Sequence, residues 1–134
     1  MRISTKNFCA IGELFMKPEI KDLKKIIEYC DRIGSYIQIY GSDERDFLND
    51  QVFQEGTAFC LIQIGEAVIR LPEYVRALNK DIDWNGIKGF RNVLVHRYGT
   101  IWMDNVWRTI TVSVPSLKEA CESMLKTIDQ NSKE

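Results

Sequence analysis

From Pro18 to Tyr40 the apolar side chains recur at the spacing of an α-helix. Ile20, Leu23, Ile26, Ile27, Cys30, Ile33, Ile37 and Tyr40 fall along one side, and Lys21, Lys24, Lys25 and Glu28 along the other. A helix of this kind is held by whatever covers its apolar stripe more than by its own propensity, so further helices are expected to pack on it. Pro18 suits a first helical turn, where its fixed φ is already right and its missing N–H costs nothing. Gly41 ends the pattern.

The rest of the chain reads in the same way. Asp43 to Leu48 has room for a short helical turn, and Asn49 or Asp50 is a good N-cap for an element from about Gln51 to Leu71. Phe59, Ile62, Ala67 and Leu71 are among its core candidates. Between Ala58 and Ile69 it is apolar nearly all round, which makes it the helix expected to be most buried. Pro72 ends it, and Glu73 to Leu78 add a turn. Asp83 caps a third long helix from Trp84, with Trp84, Ile87, Leu94 and Val95 as its stripe, Gly86 and Gly89 as points of close packing and Gly99 as its end. Asp104 caps a last helix reaching about Ile128, with Val106, Trp107, Ile110, Val114, Leu117, Cys121, Met124 and Ile128 inward and a kink at Pro115. Ile110 to Val114 is β-branched enough for a strand, but no other segment offers it a partner, and it is read as helix. The fold class is all-α: an antiparallel four-helix bundle with short extra turns and a kinked last helix. Residues 1–18 form an extension of uncertain structure, 19–128 the helical domain and 129–134 a tail.

A chain of 134 residues makes one domain that can bury a core without disulfides or metal. Its formal net charge of −1 argues against a wide basic surface, so any chemistry on RNA must be concentrated in a few residues. Cys9, Cys30, Cys60 and Cys121 are far apart in sequence and read as small apolar side chains in a reducing compartment. No apolar run approaches the ~20 residues of a membrane span. Phe8 to Ile11, soon followed by Glu13, is too short for a signal peptide. A cytoplasmic protein with no membrane contact is expected.

The chain has a single histidine, His96, in the segment Arg91-Asn92-Val93-Leu94-Val95-His96-Arg97-Tyr98. On an ideal helix Arg91 and Tyr98 are within about 20° of one another, while His96 is about 140° from Arg91. Asn92 and His96 share a neighbouring face. One helix therefore does not bring the four groups together; fraying near Gly99 or a second copy of the segment is needed. An imidazole can shuttle a proton near neutral pH, and a guanidinium can stabilise charge on phosphoryl oxygens. Those are the needs of metal-free RNA cleavage by the ribose 2′-hydroxyl. By residue type alone the set reads more readily as a packed histidine beside a structural arginine. Glu66, an acid in the most apolar helix, is read as the structural partner of a buried cation, with Arg91 as the candidate. Gly86 and Gly89 make no phosphate loop, and one histidine among dispersed acids makes no metal site, so neither metal nor cofactor is expected. Lys21, Lys24 and Lys25 form a solvated face.

Arg91-x4-His96-x-Tyr98 resembles the R-x4-H-x-Y motif of the HEPN superfamily in its HepT-like toxin branch. Ile64-Gly65-Glu66-Ala67, Asp83-Trp84, Gly89-Phe90-Arg91-Asn92, and Val106-Trp107 with Pro115 support the likeness, which covers roughly residues 19–128. The resemblance implies an all-α bundle, usually a homodimer, with two motif segments facing one another across a cleft. It implies a metal-independent endoribonuclease in which Arg91 and His96 are catalytic and Asn92 is the polar neighbour of the arginine. It also implies a toxin–antitoxin pair whose partner, a small MntA-like nucleotidyltransferase antitoxin, adenylylates Tyr98. Two features depart from the pattern: residues 1–18 exceed the usual start, and Arg97 at the variable position adds a cation suited to RNA phosphate. The rival reading is a non-catalytic helical module that presents nucleotide or substrate to a partner nucleotidyltransferase. Intact Arg91 and His96 favour the enzyme, since a scaffold needs neither.

Overall fold

The computed structural model describes residues 17–132, so residues 1–16, which hold Cys9 and most of the N-terminal extension, lie outside the described residues, while Pro18 belongs to the first helix. The elements are α1 (Pro18–Tyr40), α2 (Glu44–Leu48), α3 (Gln51–Arg70), α4 (Glu73–Arg76), α5 (Trp84–His96), a 3-10 turn (Tyr98–Thr100), α6 (Met103–Arg108), a π-helical segment (Thr109–Ser113) and α7 (Val114–Ser132). The described residues contain no strand.

The boundaries follow local chemistry. Pro18 opens α1, and Gly41 closes it at φ 138°, a backbone conformation that side chains disfavour, with its N–H donating to the Ile37 carbonyl. Asp50 caps α3, its carboxylate accepting from the Phe53 N–H at 3.0 Å. Asp83 caps α5 by accepting from the Gly86 N–H at 2.9 Å.

α3 is the centre of the molecule, with α1 along one side and α5 along the other; α7 packs on α1. Neighbours run antiparallel: Asp22 of α1 meets Arg70 of α3 at 3.0 Å, while Tyr36 lies over Gly56. Leu23, Ile26, Ile33, Phe53, Cys60, Val68 and Ile110 are fully buried between these helices. α2 and α6 close one end through rings, Phe47 edge-on to Phe53 and tilted on Trp107. α5 leans on α3, and a cavity of about 520 Å³, lined by Leu61, Ile64, Ile87, Phe90 and Val114, separates it from the last helix. The bundle is thus open along one side.

Several sequence expectations change in the structure. α3 has the length and hydropathy of a membrane span, contrary to the expectation that no run approaches one, yet half of that stretch is buried inside the protein. Phe59 is 50% exposed, because α3 meets α1 on one side and α5 on the other and keeps a strip open between them. Val95 is 44% exposed and Phe90 and Leu94 take the inward positions of α5. Gly86 serves the Asp83 cap rather than helix packing, and a side chain at Gly89 would meet nothing within 4 Å. Asp104 sits inside the first turn of α6, whose N-cap is Trp102. The last helix runs on to Ser132, past the expected end at Ile128.

The interruption expected at Pro115 takes the form of the π segment just before it. Proline has no N–H for the Thr111 carbonyl, and its ring crowds that oxygen in an α turn. A wider turn relieves both.

Candidate functional site

Arg91 is placed by a glycine. Gly65 is buried in α3, and a Cβ built there would collide with the Arg91 Cβ and lie 2.7 Å from its Cγ. Only a bare backbone lets α5 come this close. With its stem against Gly65, Arg91 turns its head to the next residue of α3: Nε donates to Glu66 Oε1 at 2.7 Å, and Nη2 donates to the same oxygen. Nη1 donates to Asn92 Oδ1 at 2.7 Å. The Arg91 and Glu66 side chains are 23% and 32% exposed, so the pair is shielded yet still opens to solvent. A guanidinium has five N–H donors. Three are engaged here, which fixes the plane of the group and leaves two to meet a ligand.

The other end of the motif is built differently. α5 stops at His96, with Arg97 as C-cap at φ −139° and ψ 34°. The Arg97 carbonyl accepts from the Thr100 N–H at 2.9 Å and from the Thr100 hydroxyl at 2.7 Å, which turns the chain through the 3-10 segment. His96 and Arg97 are exposed, and neither side chain makes a hydrogen bond or ion pair among the described residues. Tyr98 lies beyond the helix, so it does not share a helical face with Arg91 as an ideal continuation would require. It is half-buried and close to Glu55, and its phenol is held above the usual tyrosine range, first by burial and then by that carboxylate.

The structure thus brings Arg91, Asn92 and Glu66 together and leaves His96, Arg97 and Tyr98 at the far end of α5. His96 stands five positions after Arg91, about 7.5 Å along the axis and on a different face. Two contributors were not singled out from sequence. Gly65 had a signal, a glycine inside an apolar helix just before its acid. Glu55 had one too: it stands eleven residues before Glu66, close to three turns, which puts both acids on one face of α3. That face also carries Val52, Phe59 and Ile69, all exposed, with Ile62 partly so.

The buried thiols offer no rival chemistry. Burial pushes Cys30 and Cys121 up to about 12 and raises Cys60 as well, so all three stay protonated and poorly nucleophilic. No group of three or more His, Cys, Asp and Glu side chains suited to a metal ion occurs among the described residues.

Comparison with known proteins places these features in a lineage. The family model Ribonuclease HepT-like matches residues 26–124, which span all the helices that build the site. A candidate RNase of Methanocaldococcus jannaschii is 30% identical over 113 residues, covering 82% of this chain and 92% of the relative. A probable ribonuclease HepT of Thermococcus cleftensis is 28% identical over 110 residues, 82% of this chain and 96% of the relative. A candidate RNase of Caldanaerobacter subterraneus subsp. tengcongensis is 29% identical over 111 residues, 83% and 97% of the two chains. No solved structure matches the chain significantly.

Proposed function

Because the chain belongs to the ribonuclease HepT-like family, it is an endoribonuclease, and we propose that it cleaves RNA without a metal ion as a toxin held in check by a nucleotidyltransferase antitoxin. The observation that carries this reading is the clamped guanidinium. Glu66 and Asn92 fix Arg91 so that its two remaining N–H groups address the non-bridging oxygens of one phosphate, a preorganised arrangement for charge that grows in the transition state.

In the proposed step the ribose 2′-oxygen bonds to phosphorus as the bond to the 5′-oxygen breaks. His96 takes the 2′ proton, and a second imidazolium gives a proton to the departing 5′-oxygen. The products are a 2′,3′-cyclic phosphate and a 5′-hydroxyl. One chain has one histidine, so the second imidazole comes from a second copy, and the active form is a homodimer. The exposed strip Val52, Phe59 and Ile69 on α3, beside Val95 of α5, supports a two-fold contact on this side. Asn92 steadies the arginine, and Arg97 adds a cation for the neighbouring phosphate. Tyr98 is the residue the antitoxin adenylylates: AMP there adds bulk and about one negative charge beside Arg97 and repels the RNA backbone. The buried, protonated thiols accord with a reducing, cytoplasmic setting.

The test is RNA digestion by the purified protein with and without chelator, with the product ends identified and the mass in solution measured by light scattering. Undiminished cutting in chelator, cyclic phosphate ends and a dimer are expected. Loss of activity in chelator overturns the metal-free step, and a fully active monomer overturns the shared site. No cutting by an RNA-binding protein returns the reading to the non-catalytic module. After co-expression with the cognate nucleotidyltransferase, mass spectrometry should find AMP on Tyr98; AMP elsewhere, or full neutralisation of Tyr98→Phe, removes the regulatory role.

A further inference from the structure

The three tryptophans of this chain have unequal surroundings. Trp84 is half-buried, and its indole N–H donates to the Arg76 and Asn79 carbonyls, each at 3.0 Å. Trp107 is packed against Phe47 and Phe53. Trp102 is 74% exposed and has neither a side-chain hydrogen bond nor a ring contact among the described residues. Its backbone is nonetheless fixed: it is the N-cap of α6, and its carbonyl accepts from the Asn105 N–H at 3.0 Å. Ile101 and Met103 on either side pack against the core. An indole is thus presented to solvent from a rigid base. No hydrogen bond or ring contact among the described residues keeps it there, and its exposure opposes the hydrophobic effect.

Its position gives it meaning. Trp102 follows His96 by six residues across one 3-10 turn, so it stands at most about 20 Å from the histidine along the chain. It lines a shallow pocket of about 570 Å³ together with Leu48, Gly99, Thr100 and Asp104. The pocket holds no cation, and Asp104 repels phosphate from it. A flat, uncharged nucleobase fits that chemistry, while Arg97, whose carbonyl accepts from Thr100 of the pocket wall, supplies a nearby cation for the backbone. We propose that Trp102 is a stacking platform that seats an unpaired base of the RNA substrate a few nucleotides from the scissile phosphate, so that the enzyme selects single-stranded RNA. This rests on the ribonuclease reading above, and deepens it.

The experiment measures binding and cleavage separately. A labelled 2′-O-methyl oligonucleotide lacks the attacking hydroxyl and reports affinity by fluorescence anisotropy whether or not the protein cuts RNA. Trp102→Ala should raise its Kd about tenfold, the size of one lost base stack, and Trp102→Tyr should restore most of the affinity. With unmodified RNA the Trp102→Ala loss should fall on KM rather than kcat. A duplex of the same sequence should bind equally to both proteins. Equal affinity of wild type and Trp102→Ala for the single strand overturns the proposal. A Trp102→Ala protein whose dimer dissociates in light scattering also overturns it, because the ring would then be a protein contact. Trp102-dependent binding without any cleavage would sustain the platform while sinking the ribonuclease chemistry.

Discussion

The two ends of the motif segment lie on one helix and are held by opposite means. At the Arg91 end a glycine admits the stem, a carboxylate takes two N–H groups and an amide takes a third. At the His96 end the helix stops, and imidazole and guanidinium face solvent with no partner among the described residues. The first end is preorganised by the fold, and under the proposed function the second is completed by substrate or by a second copy. Damage to the first should therefore appear as lost stability together with lost activity. Damage to the second should appear as lost activity alone.

The sharpest probe of that contrast has the largest effect. His96→Ala should lower the cleavage rate by on the order of 10²–10⁴-fold, the usual worth of a positioned acid–base group, with an unchanged thermal melt. A drop in melting temperature would show that the histidine is structural after all. Next is Gly65→Val, which drives a branched side chain into the Arg91 stem. Overpacking of this kind costs about 1–3 kcal/mol, visible as a melt lowered by several degrees, and cleavage should fall with it. If Gly65→Val melts like the wild type, α5 is not held where the contact implies.

Glu66→Gln is gentler, since the amide oxygen still accepts from Arg91 but without charge. A loss of about 1 kcal/mol in urea unfolding is expected, together with a partial fall in cleavage. An activity loss as deep as that of His96→Ala would mean that Glu66 takes part in the chemistry. Smallest of all is Glu55→Gln, read on Tyr98 by ultraviolet titration. Removing the nearby negative charge should let the phenol ionise at lower pH, although burial still keeps it raised. Because the folded phenol is raised above its unfolded value near 10, its contribution to stability is present below about pH 10 and is lost as pH climbs through the folded value. An unmoved titration in Glu55→Gln would leave burial as the sole cause.

What the sequence made legible was whatever depends on neighbours in the chain. Pro18, Gly41, Asp50 and Asp83 mark their helix ends because caps and breakers act within a turn. An acid inside the apolar stretch from Ala58 to Ile69 likewise called for a cation, and Glu66 has Arg91. Features that depend on where a second helix lies were not legible. Phe59 and Val95 look like core residues by composition, and only the placement of α1, α3 and α5 leaves them outside. Gly65 reads as a weak point in a helix until the Arg91 stem is laid on it. Spacing placed Tyr98 on the face of Arg91, and only the end of α5 at His96 takes it off that face.

The wide turn at Thr109–Ser113 also limits how the gene for this chain can vary. A π turn takes in more residues than an α turn, so the phase of α6 relative to α7 depends on the number of codons between them. Thr111, Val112 and Ser113 are exposed, and substitution there alters little inside. Deleting one codon would rotate α6 by about 100°, carrying Val106 from the core and Trp107 from Phe47 and Phe53. The turn that carries Tyr98 is joined directly to α6 and would be dragged with it. This stretch is therefore permissive in spelling and strict in length.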